Sequence, residues 1–547
     1  MRTLGVCFHA WERGIRMQDR VWFRRLVGGA VFFAVAVSGA VANIEVIYSK
    51  AAGHPTANIP GTLDVNGDPA ASDWRAIEDF AVGPNGRQWM VKGRTQLGSD
   101  AETILVLGAG GDGQAASNFA QEGQPFIGAE PDELYDFFDS GDPVSFDTLG
   151  NFVFSARARG GATTDNEKVI FVDPNGVQTL VLQQGDAALG LTDNPPGNSG
   201  DEVFGNSIGS VTILEMEEQL QFVNTPITNL HSSRYPAMFR GNMAFRQSGI
   251  SMIDGETWDS FDLSDSGGTP DGLHWYAEGD TENPDTNVDD ILAVDDVAVM
   301  RQGSEVAGPN TPVYADVFQT RMVANGFWVS RGDDPANDDW VVGRLAAPVD
   351  TTPDLIVKTG DEIVPDSEEN WGAVFSAVAC NRQGDWALVG NTSSVDLATD
   401  NVLVLNGTHI IAREGDPVDL DGNGLFDDDA FIGRGNNTLA PFAANDLYVT
   451  DRRVIYFTAN LRNSEGEDLN SSPAFGTPDA FMRVQFCLGD IERDLDVDLT
   501  DLSLQLAAFG TCDGDVGYNL LADLDDSGCV DLVDLSLMLA EFGTICD

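Results

Sequence analysis

Lysine is almost missing from this 547-residue chain, which has only Lys50, Lys92, Lys168 and Lys358. Arginine does not make up the deficit: Lys and Arg together number 30 against 87 Asp and Glu, for a formal charge of −57. A nucleic-acid binder displaces counterions with clustered cations, and no such cluster follows the first few dozen residues. Anionic lipid surfaces would repel the chain as well. Histidine is equally sparse, and neither an HExxH pair nor a P-loop occurs. Long helical patterns are scarce, and no second long apolar run follows the N-terminal one, so the mature chain is expected to be soluble. What is present is abundant glycine, 59 residues, and 42% hydrophobic residues, which points to β-structure with turns around a real core.

Arg20, Arg24 and Arg25 precede an apolar run from Leu26 to Val37 that closes on Ala40-Val41-Ala42. This is the layout of a secretory signal peptide, with Met17 a candidate start. Residues 1–42 are expected to be removed, leaving a mature chain that begins near Asn43 and is secreted or held at the cell surface, with no membrane contact afterwards. An uncleaved anchor is the alternative. Of the six cysteines, Cys7 falls in the leader and Cys380 stands alone, while Cys487, Cys512, Cys529 and Cys546 crowd the C-terminus. In an oxidising compartment these four form two disulfides in one of three pairings. Cys487–Cys512 with Cys529–Cys546 is the expected pairing, since each bond would tie a loop to the end of the helix after it. Zinc is the competing use, but there is no CxxC pair and no nearby histidine.

Two acidic segments, Asp490 to Asp501 and Asp523 to Asp534, align at an offset of 33 residues. Each runs into nearly the same stretch, DLSLQLAAFGT or DLSLMLAEFGT, identical at nine of eleven positions, so the region is an internal duplication. Calcium takes six to eight hard oxygens, and a twelve-residue loop supplies them from positions 1, 3, 5, 7, 9 and 12, position 7 through its carbonyl. In the first loop these are Asp490, Glu492, Asp494, Asp496, Asp498 and Asp501; in the second they are Asp523, Asp525, Ser527, Cys529, Asp531 and Asp534. Gly528 stands at the sharp turn of the second loop, whereas Leu495 stands there in the first, which predicts a strained, weaker first site. Leu502, Leu506 and Phe509, and likewise Leu535, Leu539 and Phe542, are expected to share the buried face of each helix. A disordered acidic tail is the alternative.

This tandem of calcium loop and helix, with Asp at position 12, resembles a type I dockerin domain over residues 487–547. The resemblance implies a small all-α module held together by Ca2+ that docks on a cohesin-like or cell-surface protein. It departs from the family at loop positions 10 and 11, where dockerins often carry Ser-Thr and this chain has Leu499-Thr500 and Leu532-Val533. That leaves the calcium loops intact and puts cohesin binding in question.

A third stretch in the body repeats the grammar: Asp419, Asp421, Asn423, Leu425 through its carbonyl, and Asp427, with Gly424 at the turn. Position 12 is Ala430, so Asp428 or Asp429 would have to close the cage. Asp64 to Asp68 is shorter and reads as a turn.

Residues 43–486 carry a diffuse repeat. A short apolar strand ending in a polar pair and glycine recurs at Gly123, Gly185, Gly249, Gly303, Gly360 and Gly415, with spacings of 62, 64, 54, 57 and 55. A turn followed by an alternating strand recurs at Trp89, Phe152, Phe327, Trp386 and Tyr456. The expected fold is therefore mainly β, a β-propeller-like body of six or seven blades, loosely similar to secreted bacterial repeat proteins; paired β-sandwiches are the alternative. Ser251 to Trp258 resembles the Asp-box of sialidase-like propellers, a structural turn. The expected function is non-catalytic binding or a surface role. The alternative is an extracellular polysaccharide hydrolase using two of the many carboxylates.

Overall fold

The computed structural model describes residues 44–546 apart from 127–132, 139–143, 162–165, 193–199, 216–218, 225–226, 263–264, 424, 436–438, 470–478 and 526. The expected leader, residues 1–42, lies outside the described residues. Among those described, no helix is long and apolar enough to cross a membrane.

Seven antiparallel sheets of four strands follow one another along the chain. Blades 1 to 6 span residues 74–121, 134–183, 208–247, 266–301, 316–358 and 371–413. Blade 7 takes three strands from late in the chain, Phe442–Val449, Val454–Ala459 and Ala480–Gln485, and its fourth, Ile44–Ser49, from the beginning. The protein is thus a seven-bladed β-propeller closed by pairing of its two ends. Strands are called a to d from the inside out. The a strands of all seven blades line one axial cavity of about 200 Å³, among them Phe80, Phe146, Thr212, Gly267, Met322, Ala379 and Leu447. In blade 2, strand a is in two pieces, Leu134–Phe138 and Val144–Phe146, both paired with Phe152–Arg159.

The core is divided between blades. One apolar cluster joins blades 7 and 1, where Trp74 and Trp89 meet Tyr456 and Phe481, and a separate cluster fills each further gap round the ring. Strands b and c are buried on both faces, which is why they contain unbroken apolar runs such as Val169 to Val172 and Val402 to Leu405. The register slips once between strands c and d in all seven blades, a bulge that adds twist where the sheet meets solvent.

Both recurring sequence elements have a structural place. The turn-then-strand element is the a–b hairpin with strand b. Each recurring glycine ends strand d at positive φ, between 68° and 93°. Its N–H bonds a carbonyl at the entrance to the next blade: Gly123 to Tyr135, Gly185 to Phe204, Gly249 to Trp258, Gly303 to Tyr314, Gly360 to Trp371 and Gly415 to Ile432. The Asp-box-like stretch is a two-residue hairpin, Met252–Ile253 against Glu256–Thr257, turned by Asp254 and Gly255 at positive φ.

Residues 487–546 follow the last strand and contain two short helices, α1 (Leu499–Ala508) and α2 (Leu532–Glu541). Two expectations are corrected here. The disulfides are Cys487–Cys546 and Cys512–Cys529. Each loop pairs with the tail of the other helix, not its own: Val497 N–H bonds Thr544 and Cys546 N–H bonds Leu495, while Gly510 N–H bonds Val530 and Asp513 N–H bonds Gly528. That exchange carries each cysteine to its partner. The buried stripe of each helix also begins at the position-12 aspartate, so Asp501, Gln505 and Ala508, and Asp534 and Met538, face inward. Leu506, Phe509, Leu539 and Phe542 are 40–56% exposed.

Candidate metal centres

The two loops are built alike. Asp498 and Asp531 cap α1 and α2, accepting the N–H of Thr500 at 2.6 Å and of Val533 at 2.7 Å. The position-12 carboxylates turn back into the loops. Asp501 Oδ1 accepts the N–H of Ile491 and Glu492 at 2.6 and 3.1 Å, and Oδ2 accepts that of Asp498 at 2.8 Å. Asp534 repeats this with Leu524, Asp525 and Asp531 at 2.6, 3.1 and 2.7 Å.

Three carboxylate oxygens converge in each loop to within 4.8 Å of one another: Asp490, Asp494 and Asp501 in the first, and Asp523, Asp525 and Asp534 in the second. Glu492, Asp498 and Asp501 form a further group of the same size. Oxygens held 2.3–2.6 Å from one ion lie at most about 5 Å apart, so these groups have the dimensions of a cage. Of the remaining expected ligands, Asp531 caps its helix and Ser527 Oγ donates to the Cys529 carbonyl at 3.1 Å, while Asp496 and Cys529 are expected to contribute through their backbone carbonyls. Leu495 has φ 75°, the left-handed turn its position predicts. Burial raises the pKa of Asp490 and Asp534.

The position-1 aspartates are fully or almost fully buried. Asp523 Oδ2 accepts three hydrogen bonds, from Tyr518 Oη at 2.8 Å, Gly528 N–H at 3.0 Å and Arg87 Nη2 at 3.1 Å. Its other oxygen, Oδ1, is buried with no hydrogen-bond partner. A buried carboxylate oxygen left bare is costly, and a cation in the cage would satisfy it. The donor set, hard oxygens only, suits calcium or magnesium over zinc.

In the third stretch, Asp419, Asp421 and Asp428 come together. Asp428 Oδ2 accepts the N–H of Leu420 and Asp421 at 2.6 and 3.2 Å, the role Asp501 and Asp534 play in the C-terminal loops. Asn423 and Asp427 are exposed and face each other at 3.4 Å, Leu425 is exposed, and Gly424 lies outside the described residues. Asp64 forms the expected turn, accepting the N–H of Asn66 and Asp68.

One group was not visible in the sequence. Glu278, Asp290 and Asp316 converge between blades 4 and 5 from three different strands. Tyr314 Oη donates to Asp290 at 2.8 Å. Burial and the surrounding aspartates push Glu278 up to about 10, and burial brings Asp290 to about 6. A G-x-S-x-G string, Gly205 to Gly209, enters the strand Ile208–Leu214 and not a helix, so it is no nucleophile elbow.

No family model matches the chain, and no curated protein does. Among solved structures, the β-propeller domain of Myceliophteria thermophila Cps50 (Swd1) is similar at 10% identity and TM-score 0.34, over 70% of this chain and 94% of that one. Puromycin hydrolase is similar at 11% identity and TM-score 0.35, over 73% and 53%. A chain of the mitotic checkpoint complex is similar at 11% identity and TM-score 0.33, over 89% and 99%. At such values nothing of activity, ligand or partner passes to this chain, and its seven blades stand on its own strand pairing.

Proposed function

We propose that this chain is a secreted, non-catalytic binding or cell-surface protein whose β-propeller is joined to a calcium-stabilised, dockerin-like docking module. The carrying observation is the duplicated cage: two loops of one design, each with three converging carboxylates, the second with a buried, unpartnered oxygen on Asp523. The acidic surface and the two disulfides fit an extracellular setting. The exposed Leu499, Leu506, Leu532, Val533 and Leu539 give the module an apolar outer surface on which a protein partner could dock.

The test is calorimetric titration of the metal-free full-length protein with calcium. Two ions should bind in the C-terminal loops, beside any taken up at Asp419, Asp421 and Asp428, and Asp523→Ala and Asp534→Ala should each remove the site in the second loop. No saturable heat, or unchanged affinity in both variants, would sink the metal reading. A second reading, hydrolysis of a polysaccharide, draws on Glu278 and Asp290, two adjoining carboxyls with separated pKa values. Their aromatic neighbour Tyr314 is fully buried and gives a sugar ring no platform. Loss of polysaccharide cleavage in Glu278→Gln would favour that reading.

A further inference from the structure

The module does not hang free. Three a–b hairpin turns on one face of the propeller, from blades 1, 6 and 7, hold it through arginine. Arg87 of blade 1 reaches Asp513 at 2.7 Å, Asp523 at 3.1 Å and the Tyr518 hydroxyl. Arg452 of blade 7 bonds the Asp523 carbonyl. Arg453 bonds Asp490 at 3.2 Å and lies 3.4 Å from Asp385 of blade 6. Arg493, inside the first loop, returns to Asp385 at 2.7 Å and to the Asp451 carbonyl. Two of these propeller arginines, Arg87 and Arg453, therefore end on the side-chain carboxylates of the position-1 aspartates, one in each loop, and Arg452 holds the backbone of Asp523 as well.

Backbone conformation marks one of them. In the a–b turns of blades 1, 2, 4, 5 and 6 the equivalent left-handed position is glycine: Gly86, Gly150, Gly272, Gly326 and Gly384, and in blades 1, 4, 5 and 6 it donates its N–H to the residue three back. In blade 7 that position is Arg453, at φ 58°, with the same hydrogen bond to Thr450. A side chain in this conformation carries strain, and such outliers persist where the side chain is needed. Here the side chain spans Asp385 and Asp490.

We infer that the propeller is part of the metal centres: Arg87 and Arg453 fix the position-1 aspartates, so that calcium binding and the seating of the module are one linked equilibrium. The inference rests on the calcium reading above. On Asp523 the division of labour is explicit. Three donors, one of them Arg87, hold Oδ2, and Oδ1 is left bare toward the cage. A cation beside an ion site also repels the ion, but Arg87 is already paired with Asp513, so its orienting effect is the larger. Removing a partner that orients a metal ligand costs about 10–100-fold in metal affinity.

The experiment is calcium titration of full-length wild type, Arg453→Gly and Arg87→Gln, paired with tryptic cleavage at Arg493, whose side chain is 16% exposed in the seated module. Arg453→Gly restores the residue of the five sister turns and relieves the backbone there, so the propeller should still fold, which its melting temperature checks. The expected result is loss of at least about tenfold in affinity at the first site for Arg453→Gly and at the second for Arg87→Gln. Cleavage at Arg493 should rise in both variants, and in wild type once calcium is chelated. Wild-type affinity in both variants, or cleavage in wild type indifferent to calcium, would overturn the linkage. No calcium binding by wild type would overturn the metal reading itself, and the linkage with it.

Discussion

Gln505 is the residue whose surroundings fit it least. It occupies in α1 the place Met538 holds in α2, is fully buried, and has neither amide atom hydrogen-bonded. Burying an unpaired amide costs on the order of 1–3 kcal/mol. Gln505→Met should therefore raise the stability of the full chain by about 1–2 kcal/mol, read as a shift of the denaturation midpoint; an unchanged or lower midpoint would refute the assignment. Glu414 is a second misfit. Burial pushes its pKa from 4.5 to about 7. The folded state then holds more protons than the unfolded one between those values, so stability falls as pH rises across that window. Glu414→Gln, which mimics the protonated acid and keeps an acceptor for Asn401, should lie near wild type at pH 5 and exceed it at pH 8 by about 2–3 kcal/mol. The sequence could not reveal either misfit, because both follow from burial. Leu495 was legible, since a turn that calls for glycine is a local demand.

At the scale of elements, the glycine that ends the d strands of blades 1 to 6 was readable because it recurs in sequence, and its cost on substitution differs from blade to blade. A Cβ on Gly360 would meet open space, whereas one on Gly123 would stand 2.3 Å from the Asp100 carbonyl. Gly360→Ala should cost only the left-handed penalty of about 1 kcal/mol. Gly123→Ala should cost about 3 kcal/mol or more, since backbone must move. Thermal melts that ranked the pair the other way would refute the clasp geometry. The disulfide pairing was not legible, because spacing cannot report that each loop crosses to the other helix. Nor was the convergence of Glu278, Asp290 and Asp316, whose strands belong to two blades. At the seating of the module, burial alone would raise Asp385, but Arg453 and Arg493 outweigh it and bring its pKa below 3.8. Its share of the contact is present above that value and is lost as pH falls through the depressed one.

The whole molecule depends on one seam. Six of the seven units carry the recurring glycine; the seventh shows in the sequence only through its turn-then-strand element at Tyr456, because its strand d comes from residues 44–49 and has Ala51 where its sisters have glycine. Ile44, Ile47 and Tyr48 are buried there. Deleting residues 43–49 should lower the melting temperature by well over 10 °C or prevent folding, since it strips an outer strand and opens the ring. Retention of the wild-type melting temperature would mean the ring does not need its seam.

That seam also fixes an order of events. Glu45 and its partner Arg483 are 438 residues apart in the chain. At about 5–20 residues per second, the first strand waits some tens of seconds for the last sheet to be made. During that interval six blades form an open arc with an unsatisfied edge at each end. A ring of this kind can close only once the strand Ala480–Gln485 has been made, so whatever carries or shelters the nascent chain must keep those two edges from finding strangers until then.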